Sequence, residues 1–184
     1  MKTTKGSLRY VVACPSLGIV VKLARIRLLA VIRRLARHVL HMRFWAIYQE
    51  ACLIKMDCTG IWSVKRFLCG GVRANWSEFL FCLRTRHPFC QPTYFSFLGL
   101  FNIQRYGQVC NLHWRTVAVQ IEELTDGSSR DDGHHFDCPE NFCFDGSKLR
   151  ILDYGSKRTQ RVITAFGVKI LASFDPDWVE RGNE

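Results

Sequence analysis

Between Asp131 and Gly155 the chain reads DDGHHFDCPENFCFDGSKLRILDYG. Two polar clusters bracket a short apolar stretch: His135, Asp137 and Asn141 come first, then Asp153-Tyr154-Gly155. A carboxylate and an amide oxygen held together suit Mg²⁺, a hard cation that takes oxygen ligands and shares them with phosphate. A second carboxylate nearby can orient a hydroxyl for attack. This is the layout of a phosphoryl-transfer site. The flanking elements must bring these groups to one end. Phe142-Cys143-Phe144 and Leu149-Arg150-Ile151-Leu152 read as two short strands, and Asp145-Gly146 between them favours a tight hairpin turn. Such a hairpin gathers Asp137, Asn141 and Asp153. The competing reading is a surface hairpin with acidic ends.

HFDCPEN followed by LRILDYG resembles the catalytic loop and metal-binding motif of the protein-kinase-like superfamily. Within it, the pattern is most like that of bacterial small-molecule and lipopolysaccharide-core kinases and aminoglycoside phosphotransferases. The resemblance implies an α+β, two-lobed protein-kinase-like fold with a truncated C-terminal lobe. Residues 1–107 would form a strand-rich lobe carrying an inserted basic helix, and 108–184 the lobe with both motifs. It implies ATP and Mg²⁺ as cofactors and a small-molecule, lipid or lipopolysaccharide-type hydroxyl as acceptor. By the same resemblance Asp137 orients the acceptor, Asn141 and Asp153 hold the metal, and Lys22 in Val20-Val21-Lys22 holds the phosphates. Glu78 holds Lys22 in place. The chain departs from the family in four ways. Three residues rather than four separate Asp137 from Asn141, and tyrosine replaces phenylalanine in the second motif. Gly6-Ser7 with Arg9 stands where a full glycine-rich loop would lie. Only 29 residues follow Gly155, where the family carries further helices. These departures favour the alternative of a non-catalytic, pseudokinase-like binding protein.

The rest of the chain supplies scaffolding. Leu8–Ala13 and Ile19–Leu23 read as strands joined by a turn at Pro15-Ser16-Leu17-Gly18. Without the resemblance, Lys22 is an ordinary edge-strand lysine. Residues 23–48 read as a basic helix with Leu28, Ile32, Leu35 and Val39 at a spacing of three and four. This helix packs on a core, lies on an anionic membrane, or lines a nucleic-acid groove. Nucleic acid is the least favoured of the three partners, and the segment 22–43 is the candidate surface for an anionic acceptor or membrane. Gly70-Gly71 is a candidate joint. Asn75 reads as an N-cap, with Glu78 three residues on as in a capping box. That is the structural alternative to a Lys22 partner. The helix should stop near His87-Pro88. Residues 94–100 and 101–106 read as a hairpin, 109–125 as a helix ended by Asp126-Gly127, and 159–172 as a helix broken near Gly167.

Composition adds a location and a class. Apolar residues make up 48% of the 184, which suffices for a folded core. Nine cysteines stand at irregular spacing with no Cys-x-x-Cys, so they read as reduced, buried thiols of a cytoplasmic protein rather than a zinc ribbon. The short apolar run before Cys14 contains Arg9 and does not read as a secretion signal. Peripheral association with the inner face of the membrane is the further expectation. The net charge of +10 is uneven: residues 1–49 hold ten Lys or Arg and no Asp or Glu, and the remainder is balanced. The attraction to an anion therefore belongs to one segment.

Overall fold

A computed structural model describes residues 2–6, 8–44 and 64–178, and the protein is mixed α+β. The first half builds an antiparallel sheet from β1 (Lys2–Lys5), β2 (Arg9–Cys14), β3 (Ile19–Ala24), β4 (Thr93–Phe97) and β5 (Phe101–Arg105), in the order β1-β2-β3-β5-β4. Between β3 and β4 come α1 (Leu28–Leu40) and α2 (Val64–Thr85). A second antiparallel sheet joins β6 (Gln108–Val109), β7 (Phe142–Asp145) and β8 (Lys148–Ile151). Helices α3 (Trp114–Leu124), α4 (Gly133–Phe136) and α5 (Lys157–Ser173) pack around it.

The apolar core belongs to this second half. Phe89, Phe136, Phe142, Ile121, Ile151, Ile163 and Ile170 are fully buried together. The hairpin forms as its sequence predicts, with Gly146 at φ 65° in the turn. The described cysteines are free thiols, but only Cys90, Cys110 and Cys143 among them are buried as expected, Cys69 being exposed; burial pushes the Cys143 thiol up to about 12. No helix among the described residues is long and apolar enough to cross a membrane.

The inner face of the first sheet is polar. Strand alternation sends Val20 and Lys22 of β3 and Asn102 and Gln104 of β5 to the same side, with Lys22 opposite Asn102. All four are buried, three of them polar. Buried polar groups need partners, and α2 supplies several of them.

Several expected boundaries move. β3 continues to Ala24, with Leu23 paired to Phe101, so the basic helix starts at Leu28 rather than 23. It also ends at Leu40, with His41 at the C-cap, and does not run on as expected; residue 48 itself lies outside the described residues. Helix α2 runs unbroken through Gly70-Gly71 and Asn75, so neither the joint nor the N-cap exists. Gly71 is glycine for contact rather than for bending: a Cβ there would stand 2.3 Å from the Leu8 carbonyl oxygen and 3.0 Å from the Arg25 nitrogen. Both are backbone atoms, which cannot swing aside. Gly71→Ala should therefore lower stability by about 1–3 kcal/mol despite alanine's better helix propensity. A thermal midpoint equal to or above wild type would refute that packing. Helix α5 likewise passes through Gly167 without a break, and the glycine makes room for His87: a Cβ would meet His87 Cε1 at 2.5 Å.

Candidate functional site

Lys22 on β3 and Glu78 on α2 meet in the seam between sheet and helix. Lys22 Nζ lies 2.8 Å from Glu78 Oε1 and donates to the Leu152 carbonyl at 2.6 Å. Glu78 is fully buried and Lys22 nearly so. Burial pulls the Lys22 ammonium below its ordinary value, and Glu78 opposes that pull. The capping-box reading of Glu78 is thereby replaced by an ion pair between residues 56 positions apart.

Arg9, expected with Gly6-Ser7 in place of a glycine-rich loop, stands at the start of β2. It is buried and takes the other oxygen of Glu78 at 2.9 Å. It also pairs with Asp153 Oδ1, just past β8. Burial disfavours the Asp153 carboxylate, but Arg9 and then Lys22 overcome this and hold it well below the usual carboxylate range. The result is a chain of alternating charges, Lys22–Glu78–Arg9–Asp153, that links both sheets through α2. Asn75 fixes its geometry. Its amide donates to the carbonyls of Lys22 at 3.1 Å and Gly99 at 3.0 Å, and its oxygen accepts from Arg9 at 3.2 Å.

On the other side of Asp153 stands His135, with Nε2 3.9 Å from Asp153 Oδ1 and Nδ1 3.0 Å from Asp132 Oδ1. Thr159 donates to the second oxygen of Asp132. Burial disfavours the imidazolium, yet the hydrogen bond to Asp132 and the charge of Asp153 outweigh it and raise the His135 pKa. A group raised on folding adds stability below its ordinary value near 6.5, and that contribution disappears as pH climbs through the raised value. Thermal midpoints should accordingly fall across that interval in the wild type, and His135→Gln should flatten the decline. An unchanged slope in the variant would show that His135 does not titrate against this carboxylate pair.

Asn141 also belongs here. Its amide donates to the carbonyls of His134 at 3.3 Å and His135 at 3.1 Å, while its own carbonyl accepts from Leu152 N–H at 2.7 Å. The side-chain oxygen is thus left as an acceptor at the end of the Pro139–Asn141 turn, whose backbone bonds to Leu152, the neighbour of Asp153. Tyr154, the middle residue of the second motif, is fully buried; it donates to the Gln91 carbonyl at 2.7 Å and lies 2.8 Å from Thr93 Oγ1. Gly155 lets this turn press on α2: a Cβ would stand 2.7 Å from the Ala74 carbonyl oxygen.

Asp137 stands apart. It is exposed, its N–H closes the turn of α4 onto the Gly133 carbonyl at 2.7 Å, and its carboxylate lies against Gly133. Residual burial and the charge of Glu122 on α3 push its carboxyl above the usual range. Its contacts among the described residues do not include Lys22 or Asp153. With three residues to Asn141, the chain turns at once through a single 3₁₀ turn at Pro139–Asn141. The structure therefore brings together Lys22, Glu78, Asp153 and Asn141 of the expected set and adds Arg9, Asn75, Asp132, His135 and Thr159. It does not bring Asp137 into that network.

Comparison with protein-family models, curated proteins and solved structures finds no match to this chain.

The donor set can be tested against Mg²⁺ directly. Asn141 and Asp153 offer two hard oxygen donors, one of them charged, on neighbouring backbone. That suits a cation completed by phosphate and water. Among the described residues no cluster of three or more His, Cys, Asp or Glu could hold a metal alone. Magnesium shared with a phosphate fits these residues, and a protein-only cage does not. A shallow depression lined by Lys157, Gln160, Arg161, Thr164 and Ala165 on α5 includes none of the site residues.

Proposed function

We propose that this protein is a kinase-like phosphotransferase, taking a nucleotide triphosphate and Mg²⁺ and passing a phosphoryl group to a hydroxyl of a small-molecule, lipid or lipopolysaccharide-type acceptor. The observation that carries the reading is the buried Lys22–Glu78 pair at 2.8 Å, set beside Asp153 through Arg9. A strand lysine held by a helix glutamate presents its remaining donor capacity in one direction, as phosphate positioning requires. Asn141 and Asp153 would hold Mg²⁺, which when bound neutralises charge on the phosphates. Lys22 orients the phosphate chain, Glu78 keeps the ammonium aimed, and His135 keeps Asp153 placed and ionised. Asp137 is assigned to the acceptor hydroxyl. On this reading the first sheet with α2 and the second sheet with its helices are the two lobes of a kinase-like fold.

The second reading is a nucleotide-binding protein without turnover. Two observations favour it: Arg9 already occupies an oxygen of Asp153, and among the described residues no hydrogen bond or ion pair joins the Asp137 side chain to the ion chain.

A thermal-shift titration with Mg-ATP, run beside a turnover assay, separates the two. For the enzyme, Mg-ATP raises the midpoint, Lys22→Met removes the rise, and Asp137→Asn keeps the rise while turnover falls about 100-fold or more. For the binder, Asp137→Asn changes neither. No shift with Mg-ATP in the wild type would end both readings.

A further inference from the structure

The basic helix α1 carries an apolar face that is exposed among the described residues. On a helix of 3.6 residues per turn, Leu28, Ile32 and Val39 fall on one line, and Leu29 and Leu40 widen it on one side. All five are more than half exposed, at 58%, 52%, 51%, 69% and 78%. Just past the helix, Met42 and Phe44 are exposed as well, at 77% and 60%. Helix α1 packs on α2, and Val31, on a different flank, is buried. Arg33 and Arg37 border the apolar stripe beyond Leu29 and Leu40, both exposed. The stripe and its arginines lie within the 49 residues that hold ten basic groups and no acidic one.

We propose that α1 lies in the plane of an anionic lipid bilayer, with the Leu28–Ile32–Val39 stripe in the acyl boundary and Arg33 and Arg37 on lipid phosphates. Charge complementarity selects this occupant. A second copy of the chain would set like-charged arginine rows against each other, which is repulsive. A nucleic acid satisfies the arginines but offers no apolar phase to the leucines and isoleucine between them. An anionic membrane surface satisfies both faces of such a helix. The proposal does not depend on the phosphotransferase reading, since no residue of α1 belongs to the Lys22–Asp153 chain.

The test is co-sedimentation of the full chain with vesicles of phosphatidylcholine mixed with phosphatidylglycerol, and with phosphatidylcholine alone. Binding to the mixed vesicles that weakens with added salt is expected, with little on the neutral ones. Arg33→Glu and Arg37→Glu should each weaken it by about fivefold or more, as expected for a basic residue at a charged surface. Ile32→Ser should weaken it about tenfold or more with every arginine in place, and Asp153→Ala should leave it intact. The thermal midpoint of Ile32→Ser should match wild type, because the residue is exposed. Equal binding to both vesicle types, or none to either, would overturn the proposal. So would a lowered midpoint for Ile32→Ser, which would mean the chain itself covers the stripe. An oligomer that dissociates in Ile32→Ser, or duplex nucleic-acid binding that survives it, would overturn it too.

Discussion

Glu78→Met is expected to destabilise the fold by about 3–5 kcal/mol, the range for removing one partner from a buried ion pair. Against a total stability of about 5–15 kcal/mol, that is a large fraction. The size follows from geometry. Glu78 is fully buried and gives one oxygen to Lys22 at 2.8 Å and the other to Arg9 at 2.9 Å. Its loss leaves two buried cations with less negative charge between them. Lys22→Met should cost less, because Glu78 then keeps Arg9 as a partner. Combining the two changes should recover part of the Glu78→Met loss, since one stranded charge is removed with its partner. Urea unfolding of the three variants gives the order directly. A Lys22→Met loss equal to or greater than that of Glu78→Met would mean that Arg9 does not draw on Glu78 as the structure shows.

Asp153→Asn is expected to reduce turnover by about 100-fold or more, the scale seen when a group that stabilises transition-state charge is removed. It should also abolish the Mg²⁺-dependent part of any stabilisation by ATP. The amide keeps the shape of the side chain but loses the charge that pairs with Arg9 and the harder of the two metal donors. Arg9→Gln gives a contrasting result. Arg9 and a metal draw on the same carboxylate, so freeing Asp153 should let Mg²⁺ act at lower concentration, while the loss of the Glu78 contact lowers the midpoint. Magnesium titrations at fixed ATP read both effects. If Asp153→Asn responds to magnesium as wild type does, the metal assignment to Asp153 and Asn141 is wrong.

Local chemistry made some of this protein readable from its sequence. The hairpin at 142–151 follows from alternation and a turn dipeptide, which act over a few residues. The strands around Lys22 and the hairpin of β4 and β5 were legible for the same reason. So was the confinement of positive charge to the first 49 residues, which needs only counting. Tertiary packing decided the rest. Asn75 and Glu78 have the spacing of a capping box, but α2 continues through them because both side chains bond to the sheet instead. Gly70-Gly71 carries the composition of a joint, yet Gly71 is where two backbones nearly touch. Arg9 and Thr159 carried no local signal, since their partners lie 27 to 144 positions away in the chain. Asp137 has the right type in the right motif, but the chain turns at once through Pro139–Asn141 and leaves it exposed. Sequence reading reaches as far as neighbours along the chain. A buried charge takes its identity from neighbours in space, because desolvation must be offset by whichever partner folding brings within hydrogen-bond distance.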